Sequence, residues 1–172
     1  FYIQAIIDNF SRYVLAWRVT NEITAQETVE TLKLARQKSR ELLGTDISSD
    51  VMMDPGKENN NGKVIQFITS NRLRRILAQV DVHFSNSMIE GLFHSLKNRF
   101  LYHQKIKSGE DLLRKANFYF RQHNDVVPRQ HNLTPRTKLM QSNAMQRVFS
   151  TDEMNHDIRS VSYTHLTLPT NR

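Results

Sequence analysis

Asp50-Val51-Met52-Met53-Asp54-Pro55-Gly56 is the stretch from which the fold can be read. Val51 to Met53 is a short apolar run that Pro55-Gly56 ends at once, so Asp50 to Met53 reads as a short buried strand. Asp54 then stands at the strand's C-terminal edge, where open α/β sheets hold their ligands. An aspartate before Pro-Gly is also an ordinary turn residue, and that reading stands beside the functional one.

On the N-terminal side, Phe1 to Asp8 and Arg12 to Thr20 are rich in aromatic and β-branched residues, with a polar turn at Asn9-Phe10-Ser11. They predict a hairpin. Thr24-Ala25-Gln26-Glu27 matches a capping box, so a helix should start near Ala25, bury Val29, Leu32 and Ala35, and stop at Gly44. On the C-terminal side, Val64 to Arg72 predicts a helix and Arg75 to Val80 a strand. Ser87-Met88-Ile89-Glu90 is a second capping box, opening a helix whose Ile89, Phe93, Leu96 and Phe100 form one apolar stripe. A helix from about Gly109 to His123 follows, then a short one with Thr134 as cap and Pro135 in its first position. This element order predicts an α/β domain with a mixed sheet.

The 172 residues suffice for one domain. With no cysteine, a disulfide framework and a thiolate zinc site are excluded, and a reducing, cytoplasmic compartment is expected. No apolar run is long enough to cross a bilayer, so no membrane partner is expected. The net charge of +7 is unevenly spread. Residues 1–56 carry 6 Lys/Arg against 8 Asp/Glu, residues 57–138 carry 15 against 6, and residues 139–172 carry 3 against 3. Such a basic middle suits a polyanion, although a solvated Lys/Arg surface has the same composition. Val161 to Arg172 lacks core periodicity and is similar to a translated sequencing adapter, so it is expected to be foreign to the fold.

Asp54 and Glu90 are separated by 35 residues. With that spacing, Asp54-Pro55-Gly56-Lys57-Glu58 resembles the Asp-x-Gly-x-Glu pattern of DDE transposase and retroviral integrase catalytic cores. Phe84 to Glu90 is similar to that family's small polar loop leading into a glutamate-bearing helix. Lys97, seven residues beyond Glu90, stands where the family usually has Lys or Arg. Asp8 to Arg12 resembles its Asp-x-Phe-Ser-Arg turn, and Asn124 through Thr134-Pro135 a worn form of its terminal signature. The resemblance runs from Phe1 to about Leu139. It implies an RNase H-like mixed sheet flanked by helices over 1–140, an extension over 141–160 and the foreign tail over 161–172.

It also implies a metal-dependent DNA strand transferase with Asp54 and Glu90 as catalytic metal ligands for Mg²⁺ or Mn²⁺. Element ends and target DNA would be the partners, homo-oligomers are typical, and a nucleoid-associated location follows. The family's first catalytic Asp aligns upstream of Phe1, so the fragment itself is expected to be inactive, and Asp8 is read as a turn residue. The residue types suit the chemistry. Phosphoryl transfer needs charge neutralised at the attacking and leaving oxygens, which two divalent ions roughly 4 Å apart provide, and hard cations prefer carboxylate oxygen. Lys97, His94, Arg99, Arg72 and Arg75 are candidate DNA contacts, each also readable as a surface residue. For Glu90 the plain alternative is its capping-box bond. A non-catalytic basic DNA-binding or assembly module, or an RNase H-like nuclease that only hydrolyses, are the competing functions.

Overall fold

The structure, a computed structural model, describes residues 1–44, 50–78, 87–128, 132–148 and 160–167. The expected polar loop at Phe84 to Asn86 and the strand end at Gln79-Val80 lie outside the described residues.

Five strands form one mixed sheet. The hairpin is β1 (Tyr2–Asp8) and β2 (Val14–Thr20), antiparallel as expected. β3 (Asp50–Met53) pairs in parallel with β4 (Arg74–Leu77). Between β1 and β3 lies β5 (Ser160–Thr167), antiparallel to β1 and parallel to β3. Most of the tail that periodicity left out of the fold is therefore a central strand. Its alternation is blurred, but Val161, Tyr163, Thr164 and Thr167 are strand-forming types, and a slot with ladder groups on both sides selects for backbone pairing.

The hairpin turn is set by Asp8, whose carboxylate accepts bonds from the Ser11 amide at 2.8 Å and the Ser11 hydroxyl at 2.5 Å. Arg12 takes a left-handed conformation, φ 67°, and its guanidinium donates to the Asn9 carbonyl. Asp8 is thus the turn residue that the sequence implies. Beyond the turn, Ile6 pairs with Ala16 but Ile7 with Val14, so Leu15 is the extra residue of a bulge. The bulge switches which of the β2 residues face which layer.

Helices cover both faces. On one, Ile6, Leu15, Val51 and Met53 pack with α1 (Ala25–Leu43), α2 (Gly62–Ser70) and Leu139 of α5 (Pro135–Val148). On the other, Ile3, Ala5, Ile7 and Val14 pack with α3 (Ser87–Ser95) and α4 (Gly109–Asp125). Helix ends follow their caps. Thr24 accepts from the Glu27 amide, Gly44 closes α1 at φ 68°, and Thr134 accepts from the Thr137 amide at 3.0 Å. α5 is longer than the expected short helix. Among the described residues no helix is long and apolar enough to cross a membrane.

α4 grips the bulge through its C-terminal turn. The Asn124 side chain accepts from the Val14 amide at 2.8 Å and donates to the Val14 carbonyl at 3.0 Å, all buried. Asn124→Ala leaves both backbone groups without these bonds, and an unsatisfied buried group costs about 1–3 kcal/mol. Urea unfolding should register a loss of about 2 kcal/mol or more. A change below about 0.5 kcal/mol would mean that water replaces both bonds.

Next to it, a nitrogen of the half-buried His123 ring lies 2.9 Å from the Arg12 carbonyl, which can only accept, so the nitrogen donates. Burial pushes the His123 pKa below its usual 6.5, against the smaller opposing pull of the Arg12 bond. The folded state then resists protonation more than the unfolded chain does. Stability contributed by the neutral ring is present above pH 6.5 and lost as the pH falls below it, by at most about 1.4 kcal/mol per pH unit for one proton. His123→Gln should flatten this part of the stability profile relative to the parent chain; parallel profiles would count against it.

Candidate functional site

Asp54 follows β3 directly. Along β3, Val51 and Met53 belong to the α1 side of the sheet, so the period of two carries Met52 and then Asp54 toward the α3 side. The loop after Asp54 is tightly braced. Asn59 is fully buried, and its side-chain amide donates to the Asp54 carbonyl at 3.2 Å. The Asn59 and Asn60 amides bond the Gly56 carbonyl at 3.1 and 2.8 Å. From β4, Arg75 reaches the Asn59 carbonyl and the Asn60 side chain, both at 3.2 Å.

The Glu58 carboxylate folds over Gly56. A Cβ there would stand 2.2 Å from Glu58 Oε1. Gly56→Ala is therefore expected to push the Glu58 carboxylate away at a stability cost of under about 1 kcal/mol, since the obstructing atoms end a flexible side chain. Thermal unfolding checks the cost. A large loss would show that the loop cannot yield.

Glu90 lies in the first turn of α3 and is exposed, whereas its neighbour Ile89 is fully buried with Ile3, Ala5 and Ile7. The helix N-terminus favours a carboxylate there. Asp54 and Glu90 thus belong to the same side of the sheet. Among the described residues, no three His, Asp or Glu side chains are grouped so as to hold a metal ion.

The other sequence-chosen residues separate into two regions. His94 is exposed on α3, its Nδ1 3.1 Å from the Asn98 side-chain nitrogen. Lys97 follows in a π-helical turn, Leu96–Phe100, with its ammonium 5.4 Å from the Tyr102 ring centroid. Arg99, in the same turn, is exposed. Arg72 and Arg75 lie at β4, the far edge strand, with Arg72 exposed in a left-handed conformation at φ 56°. Arg74 forms a two-point bond to Asp50 at 2.7 and 2.5 Å, which also raises the Arg74 pKa.

The expected stripe to Phe100 is interrupted. The π turn widens the helix, so Leu101, in a following 3-10 turn (Leu101–His103), enters the core while Phe100 stays half-buried against Phe118 and Tyr119. Sequence reading also missed Arg75 as a brace for the Asp54 loop; its only signal was an arginine on a short edge strand.

No family model matches the sequence, and no curated protein matches it. Solved structures do. The catalytic core domain of BIV integrase matches at a TM-score of 0.63 with 14% identity, over 84% of this chain and 89% of that one. The HTLV-2 integrase catalytic core domain in complex with magnesium, in its dimeric form, matches at 0.56 with 19% identity, over 81% and 84%. A chain of the simian T-cell lymphotropic virus intasome matches at 0.61 with 18% identity, over 80% of this chain but 47% of its own. This chain therefore spans about half the length of that partner in the comparison. Its α/β architecture is the fold of retroviral integrase catalytic cores.

Proposed function

We propose that the chain is the RNase H-like core of a DNA-integrating enzyme, a DDE transposase or integrase that acts by metal-dependent polynucleotidyl transfer. The observation that carries this reading is one of register. Asp54 closes β3 on the side of the sheet covered by α3, and the first turn of α3 carries Glu90, within a fold shared with integrase cores. Two carboxylates of this kind fit Mg²⁺ or Mn²⁺, which take oxygen ligands and keep waters. When bound, the metal would act as a Lewis acid at phosphate oxygens. Asp54 and Glu90 would hold it. Asn59 and Arg75 keep the backbone at Asp54 in place, and Lys97 offers a cation to DNA phosphate further along the helix.

The donor set fits only in part, because the eight residues of β5 contain no Asp or Glu. The family resemblance implies a further carboxylate beside Asp54 and Glu90, and the strand next to β3 in this sheet, on the β1 side, is β5. In this reading, activity belongs to a chain in which a carboxylate-bearing strand occupies that position. A second reading, a DNA-binding module without catalysis, is favoured by the Lys/Arg excess of residues 57–138. Strand transfer on oligonucleotides, by the product of the gene extended upstream of Phe1, separates the two. Joined products support the enzyme; binding alone supports the module.

A further inference from the structure

Phe118 of α4 is 56% exposed and Tyr102 55%. Phe100 from the π turn stacks against Phe118 with centroids 5.9 Å apart and planes at 24°, and also meets Tyr119 at 5.5 Å. Lys97 caps Tyr102. The charge around these rings has one sign. Residues 91–107 carry four Lys/Arg and no carboxylate, and residues 112–124 carry three and none. On α4 the two nearest acids, each seven residues from Phe118, are already engaged: Asp111 by the Lys107 amide, Arg114 and Lys115, and Asp125 by Arg136. Arg114 and Arg121, exposed one turn before and after Phe118, flank it on the same helical face.

We infer that this aromatic and basic surface binds unpaired DNA bases, stacking them on Phe118 and Tyr102 while the arginines meet the backbone. A buried protein contact would have to desolvate Arg99, Arg121 and the Arg114 that Asp111 holds, whereas a single strand offers both π faces and phosphates. The surface continues the α3 helix beyond Glu90, so the inference deepens the proposed function and rests on that reading for its substrate. Strand ends opened near the carboxylates would lead onto it.

The test is anisotropy of a labelled oligothymidylate of about 12 nucleotides beside a duplex of the same length. Phe118→Ala should weaken single-strand binding about 5-fold or more, within the range for loss of one stacked base, and leave duplex binding within about twofold. Phe118→Leu should be as weak as the alanine variant, and Phe118→Trp at least as strong as the parent, because stacking needs a ring and not apolar area alone. Arg114→Gln with Arg121→Gln should lower the salt slope for single strands by about 1.4, two phosphates' worth. Glu90→Gln should change neither affinity, so loss of catalysis and loss of this site are separable. Equal weakening of both DNA forms, no weakening, or rescue by leucine would overturn the inference. So would a change confined to self-association in sedimentation, which would make the surface a contact between copies.

Discussion

Glu90→Gln in the upstream-extended gene product is expected to reduce strand transfer at least about 100-fold while DNA affinity stays within about twofold. The figure is the upper end of the roughly 10–100-fold that loss of an outer partner of a metal ligand costs, because a direct ligand is worth more than its outer partner. Glutamine keeps the shape and the capping-box acceptor but removes the charge. Glu90 is exposed in the first turn of α3, with no place in the buried core, so folding should survive the change. That separates the two meanings of the residue. A helix cap tolerates glutamine, and a metal ligand does not. Unchanged strand transfer with unchanged folding would leave Glu90 as a cap.

The second large effect is a gain. Thr164→Asp should raise Mn²⁺ affinity by about tenfold or more in the chain as it stands. Thr164 pairs with Ala5, and Tyr163 pairs with Met53, so position 164 is the β5 neighbour of the residue after Met53, which is Asp54. The backbone partner of position 164 on β1 is Ala5, a residue of the core on the α3 side of the sheet. A carboxylate there would join Asp54 and Glu90 as a third oxygen donor. Crowded carboxylates repel without metal, so the variant should also lose stability in chelator and recover it with Mn²⁺. Ser162→Asp is a weaker placement, two residues further from the edge. Equal affinities for the parent chain and Thr164→Asp would mean that the register does not bring position 164 to the site.

How much of this was legible beforehand depends on the range of the interaction. The hairpin, α1 with its Thr24 and Gly44 ends, and the strand Asp50–Met53 are written in local chemistry: a capping hydroxyl, a left-handed glycine, an apolar run stopped by Pro-Gly. The proposed pair, Asp54 and Glu90, comes from spacing and from resemblance together. What was not legible depends on distant partners. β5 owes its strand to two ladders far away in sequence, and no local alternation announces it. Asn124 reads as one more polar residue on an amphipathic helix until the β2 bulge presents both Val14 backbone groups to it. The π turn at Leu96–Phe100 breaks a stripe that an ideal helical period continues to Phe100, and only the Phe118 and Tyr119 rings explain where Phe100 goes.

Whether Asp54 and Glu90 share one cation is tested most directly by Mn²⁺ titration of the Thr164→Asp chain, read by the loss of the free-ion magnetic resonance signal, with Asp54→Asn, Glu90→Gln and both together. Each single substitution should abolish most of the gain, and the double should add little to either, since ligands of one ion act as a unit. Two losses that simply sum, or a Glu90→Gln chain that binds Mn²⁺ as well as its parent, would place the two carboxylates at separate sites and contradict the proposed active centre.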